Sequence, residues 1–306
     1  MRVASWGDLG VKLSGGLLLA LFFPLVLVIP TSLLTISAYL PHPHPIPTFD
    51  HADNMQVVYA PVVVRSGQRL ENVIVVRPAH TPMPAYPHQY YYPLVVVHGK
   101  NIVIRNVIVY GNMLQNHAQS VDGGNIGILV HDSSCVRIKD VKVVNVQGDA
   151  LNIHNSRHVY IKNVEAYNEE IYPYCGLAIG GSAYITVRNF RTFGFNHGLE
   201  LYHPIDGVRQ NHDLTFIDCL FYSHPQPTKH VGSAYIFEAR EARFVRCHFN
   251  DCILVTGEQT FYTPTVDDLT FVECRAPLIE VCYRGNVGKI NIEQCEIPTK
   301  WWDTHG

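Results

Sequence analysis

The sequence contains few charged residues and no cysteine spacing that is typical of a metal ribbon or a redox enzyme. Charged residues make up 16% of the 306 residues, whereas apolar residues make up 47%, which suits one elongated domain with a large core. The eight cysteines form no C-x-x-C and no C-x-x-C-H motif, which excludes zinc ribbons, thioredoxin-type chemistry and covalently attached haem. The net charge of -3 and an isoelectric point near 6.6 indicate no basic stripe. We therefore expect no nucleic-acid partner.

No helical period separates the short apolar runs, and three of these runs repeat one pattern. Each has a small or turn residue followed by apolar, variable and apolar residues: GDALNI (148–153), YCGLAI (174–179) and NHGLEL (196–201). Alternation with a period of two is typical of a strand with one buried face. Further copies are NIGILV (125–130), SAYI (233–236), CILV (252–255) and LIEV (278–281).

A second unit accompanies the first and carries a polar residue at a fixed phase. It includes IRNV (104–107), IKDV (138–141), IKNV (161–164), VRNF (187–190) and FIDCLF (216–221). The recurring residues are Asn106, Asp140, Asn163, Asn189 and Asp218. Repeats of about 21 to 34 residues without helices predict a solenoid of stacked coils, and we count seven or more. A β-sandwich would need no polar residue at a fixed phase.

The recurring asparagine resembles the asparagine ladder of the right-handed parallel β-helix, the pectate-lyase-like fold, over residues 56 to 297. In addition, GDALNI and NHGLEL are similar to the G-D-D and G-H-G motifs of polygalacturonase-type glycoside hydrolases, with Asp149 and His197 at matching positions. Ala150 replaces the second Asp, and Ile126 stands where the Asp of N-T-D would fall, so the usual three aspartates are absent. The resemblance implies an all-β scaffold and leaves open whether the chain is an enzyme, either a glycoside hydrolase or a polysaccharide lyase or epimerase.

The N-terminal part predicts a membrane anchor. Residues 16–40 contain no charge, and a helix of this length can cross about 30 Å of hydrocarbon. The segment exceeds the roughly 7 to 15 apolar residues of a signal peptide and lacks an A-x-A site, so we expect a retained signal-anchor. The positive charges before it predict that residues 1–15 are cytoplasmic. We expect a Pro/His-rich linker at 41–55 and an extracytoplasmic β-helix domain at 56–306, in a single-pass membrane protein.

The variable position of the first unit is predicted to face outward and to form the floor of an exposed groove. It is occupied by Leu129, Asn152, Ala178, Glu200, Tyr235, Leu254 and Glu280. Loops at 84–93, 167–175 and 202–213 would wall this groove with tyrosines, whose faces can stack on sugar rings. We predict catalytic roles for Asp149, His197 and Glu200, because neighbouring carboxylates can act as general acid and base in glycosidic cleavage. The predicted substrate-binding residues are Asn152, His154, Tyr202, His203, Arg209 and Tyr235.

Lyase or epimerase chemistry is the alternative for the same groove. For this chemistry the resemblance implies a base, an acid and a group that binds the substrate carboxylate. The candidates for these roles are His197, Tyr202, His203 and Arg209. The resemblance also makes calcium an optional cofactor, with Asp149, Glu169, Glu170 and Asp206 as candidate ligands. No other metal site is expected, because the His/Asp-rich linker has no zinc-like spacing.

Two functions therefore compete at this point. The first is a membrane-anchored protein that binds or processes a polysaccharide. The alternative is a non-catalytic solenoid that acts as a surface spike, an adhesin or an accessory subunit of a membrane complex.

Four cysteines recur at one inward position in successive coils: Cys219, Cys247, Cys274 and Cys295. Stacked strands are about 4.8 Å apart, which lies within the Cα separation that a disulfide allows. The pattern therefore predicts either a buried ladder of thiols or two disulfide bridges.

Overall fold

The structure is a computed structural model that describes residues 55–77, 93–111, 126–169, 174–202, 210–224, 232–256, 265–282 and 286–302. The predicted segments 1–15 and 16–40 and nearly all of the linker 41–55 lie outside these ranges, as do His203 and Arg209. Across the described ranges the chain forms strands and no α-helix. No helix capable of spanning a bilayer is therefore found in that part of the chain.

Twenty-two strands are found in the described residues. In chain order they are β1 (Gln56–Tyr59), β2 (Val62–Arg65), β3 (Arg69–Val76), β4 (Val95–Tyr110), β5 (Ile128–Val144), β6 (Leu151–His154), β7 (Arg157–Tyr167), β8 (Cys175–Gly180), β9 (Ala183–Phe195), β10 (His197–Tyr202), β11 (His212–Ile217), β12 (Leu220–Ser223), β13 (Ala234–Ile236), β14 (Ala239–Val245), β15 (His248–Phe249), β16 (Ile253–Thr256), β17 (Thr265–Asp267), β18 (Leu269–Val272), β19 (Ile279–Cys282), β20 (Asn286–Val287), β21 (Ile290–Glu293) and β22 (Thr299–Trp302). The pairings between these strands are parallel, so each connection must pass around the coil before the next strand is added.

Equivalent strands of successive coils stack into faces. Face 1 contains ten strands in continuous register, namely β2, the first part of β4, the first part of β5, β6, β8, β10, β13, β16, β19 and β22. Face 2 contains the first part of β3, the middle of β4 and β5, the first parts of β7 and β9, then β11, β14, β18 and β21. The sequence therefore predicted the parallel β-helix correctly, while its right-handed sense stays a prediction.

The interior is a set of columns in which like residues stack on like residues. On face 1 the residues on either side of the variable position, such as Leu151 and Ile153, have no solvent exposure. Within face 2 the rings of Phe216, Phe244 and Phe271 stack in parallel, with centroids 4.7 and 4.8 Å apart. These distances match the spacing of paired strands, so each coil adds one layer of apolar contact to the core.

The predicted asparagine ladder forms the corner at the end of face 2. Asn163 Nδ2 donates to Asp140 Oδ1 at 2.8 Å, and Asn189 Nδ2 donates to Asn163 Oδ1 at 3.0 Å. The ladder begins one coil earlier than the sequence indicated, because Asn106 Nδ2 donates to Asn72 Oδ1 at 2.8 Å. Each of these residues has a positive φ between 52° and 55°. Asparagine and aspartate tolerate this left-handed conformation better than other non-glycine residues, which explains their phase in the repeat.

The four cysteines at the predicted inward position are free thiols. We call Cys219, Cys247, Cys274 and Cys295 the thiol ladder. The backbone N–H of Cys247 donates to Cys274 Sγ at 3.4 Å, and that of Cys274 donates to Cys295 Sγ at 3.2 Å. Of the two alternatives that the sequence left open, the structure therefore shows the ladder of thiols.

Face 2 corrects one expectation, because it carries a basic stripe. Arg105 pairs in register with Lys139, Lys139 with Lys162, and Lys162 with Arg188. We call these four residues the cation column. The net charge of the chain did not reveal it, since a whole-chain sum does not show how a repeat aligns its charges on one line.

Candidate functional site

The predicted outward row of face 1 is present in the expected register. Asn152 pairs with Ala178, Ala178 with Glu200, and Glu200 with Tyr235. Two strand spacings, about 9.6 Å, therefore separate the backbones of Asn152 and Glu200. The expectation that the centre of this row forms an open floor is wrong. Asn152 and Glu200 each retain 7% of their exposure, and Ala178 retains 1%.

Two tyrosine side chains contact this row. Tyr202 pairs in register with Gly180, which pairs with His154 on the next coil. A Cβ on Gly180 would lie 2.4 Å from the ring of Tyr202, so the missing side chain leaves room for the ring to cross that coil. The hydroxyl of Tyr202 then donates to Asn152 Oδ1 at 3.1 Å. The hydroxyl of Tyr174 donates to Glu200.

One hydrogen-bond network connects four of the predicted site residues. Asn152 Nδ2 donates to Asp149 Oδ2 at 2.6 Å, and Asn152 Oδ1 accepts from Tyr202. His154 Nδ1 lies 3.3 Å from the Tyr202 hydroxyl oxygen. Since Tyr202 has a single hydroxyl proton and gives it to Asn152, His154 Nδ1 is the donor in this contact. Asn152 is thereby held with its amide oriented toward the Asp149 carboxyl.

Burial changes the proton affinities of the two carboxyls. It raises the pKa of Asp149 to about 7, while the hydrogen bond from Asn152 acts in the opposite direction. Burial also raises the pKa of Glu200 to about 8, with a further increase from the negative charge of Asp149 and a decrease from the Tyr174 hydroxyl. Asp149 Oδ1 and Glu200 Oε2 are buried and have no hydrogen-bond partner within the described ranges. Both carboxyls are therefore protonated more readily than usual.

His197 lies at the edge of the row between two tyrosine rings. Its ring meets those of Tyr174 and Tyr235 edge-on, with centroids 6.3 and 5.2 Å apart. Its Nδ1 lies 3.2 Å from the carbonyl oxygen of Gly232, and burial lowers its pKa. His197 is therefore neutral over most of the neutral pH range, with an aromatic neighbour on each side.

The structure thus brings Asp149, Asn152, His154 and Tyr202 into one network and places Glu200 two coils along the same row. The roles predicted for these residues, and for His197 and Tyr235, stay predictions. Sequence reasoning did not single out Gly180 or Tyr174. Tyr174 lay within a predicted tyrosine wall, but only the structure shows that its hydroxyl reaches Glu200. In the sequence GLAIG, Gly180 cannot be distinguished from any other glycine at the end of a strand.

Of the four calcium ligands suggested by the resemblance, the structure describes Asp149 and Glu169. Asp149 is bonded to Asn152, and Glu169 is bonded to Asn145, whose Oδ1 accepts from the Glu169 backbone N–H at 3.0 Å. Glu170 and Asp206 lie outside the described ranges. Neither described carboxylate belongs to a group of three metal-ligating side chains. Calcium therefore stays a prediction for this chain.

Within the described ranges, one group of side chains has the composition of a metal site. His98 and His131 pair in register on face 1, and their rings stack with centroids 4.6 Å apart. The ligand atoms of His98, His131 and Asp132 lie within 4.8 Å of one another. Two imidazoles and one carboxylate would suit a transition ion such as zinc better than calcium.

Comparison with known proteins yields similarity in structure alone. No protein-family model matches the sequence, and no curated protein matches it. The alginate lyase of Paenibacillus sp. strain FPU-7 is similar with a TM-score of 0.51 and 10% identity, over 81% of this chain and 90% of the lyase. The tailspike protein gp49 of Pseudomonas phage LKA1 is similar with a TM-score of 0.50 and 13% identity, over 82% of this chain.

This chain shares the parallel β-helix fold with both proteins. It spans only 43% of the tailspike, which is therefore the larger protein. At identities of 10% and 13% the similarity concerns the fold, and the site must be argued from the side chains of this chain.

Proposed function

We propose that this β-helix binds a polysaccharide along face 1 and cleaves its glycosidic bonds. The observation that carries the proposal is the pair of buried carboxyls, with pKa values of about 8 for Glu200 and about 7 for Asp149. At neutral pH Glu200 holds a proton that it can give to the leaving glycosidic oxygen. The pKa of Asp149 is lower than that of Glu200, so Asp149 is the carboxyl that ionises first and can accept a proton from the attacking water.

The surrounding side chains have roles in binding and orientation. Asn152 and Tyr202 offer an amide and a hydroxyl that can exchange their mutual hydrogen bond for bonds to sugar hydroxyls. The rings of His197 and Tyr235 contact each other at the edge of the row and add aromatic surface there. Because the row is covered, substrate must displace the hydroxyls of Tyr174 and Tyr202 before it reaches the carboxyls. The substrate-binding roles of Arg209 and His203, which lie outside the described residues, stay predictions from the sequence.

Two further observations support a polysaccharide as the partner. The row is a straight line of side chains with one position per coil, which suits a linear polymer. One of the two compared structures of the same fold is an alginate lyase. We further propose that residues 16–40 anchor the chain in a membrane, with the β-helix on the extracytoplasmic side. Only the uncharged run and the positive residues before it support this placement.

The test measures product release by the full chain and its variants. Polygalacturonate, alginate and neutral glucans are incubated with wild type, Glu200→Gln and Asp149→Asn, and new reducing ends and unsaturated uronates are quantified. For wild type we expect new reducing ends without unsaturated uronates. In both variants we expect the rate of product release to fall by about a hundredfold or more. The matched control is Glu280→Gln, which removes a half-buried carboxyl at the far end of the same row. Undiminished cleavage by both site variants would contradict the assignment.

The alternative function is a non-catalytic solenoid, and the burial of Asn152, Ala178 and Glu200 favours it. A structural role would need no access of substrate to these residues. In that case wild type releases no product from any of the polymers. Polysaccharide binding then either persists in Glu200→Gln, as for an adhesin, or is absent, as for an accessory subunit of a membrane complex.

A further inference from the structure

The cation column forms a regular line of positive charge on face 2. Successive paired strands are about 4.8 Å apart, so the backbones of its four residues span about 14 Å. The neighbouring residues in the strands alternate with the cations and are fully buried, which directs the cations outward: Ile104, Ile138, Ile161 and Val187. Side chains at one register position of a parallel stack are directly adjacent, and like charges there repel each other.

Nearby carboxylates compensate these charges only in part. Arg105 Nε lies 3.6 Å from Glu71 Oε1, and Lys139 Nζ lies 3.6 Å from Asp140 Oδ2. Both contacts are solvent-exposed, and such pairs contribute little stability. Lys162 and Arg188 have no ion-pair partner in the part of the chain that the structure describes. The column therefore has an uncompensated positive potential toward solvent.

Aromatic rings lie beside the column in the same open depression. The depression is lined by Arg105, Lys139 and Lys162 together with Arg137, Tyr160 and Tyr184. The rings of His158 and Tyr184 stack with centroids 4.8 Å apart at one corner, and Tyr184 is 47% exposed. The depression thus offers both charge and flat ring faces, which are the two kinds of contact that a charged sugar can use.

We propose that face 2 is a second binding site, separate from the Asp149 and Glu200 row, for an acidic polysaccharide. A straight line of cations with one charge per coil is complementary to an extended polymer with one carboxylate per sugar. The match is poorer for duplex DNA, which has one negative charge per about 1.7 Å of its axis. This site does not depend on cleavage at face 1.

The test measures binding of the full chain to immobilised polygalacturonate at several salt concentrations. The variant Lys162→Gln/Arg188→Gln removes the two cations that have no ion-pair partner. The matched control Arg240→Gln/Lys289→Gln removes two exposed cations outside the column. We expect polygalacturonate binding to weaken about tenfold in the column variant, with a smaller salt dependence, and to be unchanged in the control.

Three results decide whether face 2 is a binding site for an acidic polysaccharide. Equal binding by the column variant and wild type would overturn the proposal. Loss of duplex DNA binding or of phosphatidylserine vesicle binding in the column variant, without polygalacturonate binding by wild type, would also overturn it. In a Glu200→Gln background, the substitutions Lys162→Gln and Arg188→Gln should weaken polygalacturonate binding by the same factor as in wild type. A failure of cleavage at face 1 is therefore distinguishable from a failure of binding at face 2.

Discussion

The two buried carboxyls predict that the fold becomes less stable as the pH rises. The pKa of Asp149 rises from an ordinary value of 3.8 to about 7 on folding, and that of Glu200 rises from 4.5 to about 8. The folded chain therefore holds both protons more tightly than the unfolded chain. Their stabilising contribution is fully present below the unfolded pKa values and is lost as the pH rises through the folded ones.

The magnitude follows from the shift of each group. A rise from 3.8 to about 7 for Asp149 corresponds to about 4 kcal/mol, at about 1.4 kcal/mol for each tenfold change in proton affinity. The contribution of Glu200 is of similar size, but part of its shift comes from the charge of Asp149, so the two values do not add fully. We expect the free energy of unfolding to fall by about 4 kcal/mol or more between about pH 5 and about pH 9 from this pair.

The assay is urea unfolding of the full chain across this pH range, with the double variant Asp149→Asn/Glu200→Gln. The amides keep the size of the side chains but do not titrate, so the difference between the two proteins isolates the pair. The variant should be close to wild type near pH 5 and more stable than wild type near pH 9. Glu280→Gln serves as the control. If wild type and the double variant show parallel pH profiles, the assigned pKa values are wrong.

Three further predictions concern the scaffold and the cover of the row. Gly180→Ala should displace the Tyr202 ring, because the added Cβ would lie 2.4 Å from it. We expect the free energy of unfolding to fall by about 1 to 3 kcal/mol and cleavage to be lost. Wild-type stability and wild-type cleavage in this variant would mean that the ring does not cross this coil. Asn163→Ala should destabilise the chain by about 2 to 3 kcal/mol, since it removes two ladder hydrogen bonds and places alanine at a positive φ. Asn163→Gly should lose the same hydrogen bonds but avoid the cost of the positive φ, so it should be more stable than Asn163→Ala. Equal unfolding free energies for the two variants would refute this explanation. Alkylation in denaturant without reductant should modify all four residues of the thiol ladder, and mass spectrometry showing a protected pair would indicate a bridge.

The sequence predicted the register of the row because a period of two leaves few alternatives once each coil is aligned. Leu151, Leu177 and Leu199 must all face the core, so Asn152 and Glu200 must share the outer line. The asparagine ladder was predictable for a similar reason, since the corner demands a positive φ that few residues tolerate.

Burial of the row was not predictable, because it depends on contacts between coils. The cover by Tyr202 requires a glycine at one position of the intervening coil, and no periodicity distinguishes Gly180 from other strand-end residues. Without that cover the raised pKa values of the carboxyls could not be inferred. The cation column was missed for another reason, namely that composition records how many charges a chain has and not their alignment.

The most direct test of the central claim is mass spectrometry of the products formed in water labelled with oxygen-18. If Asp149 activates water while Glu200 protonates the leaving group, one labelled oxygen enters the new chain end, and Glu200→Gln abolishes the labelled product. Unlabelled, unsaturated product ends would instead show elimination. They would contradict hydrolysis by this pair of carboxyls.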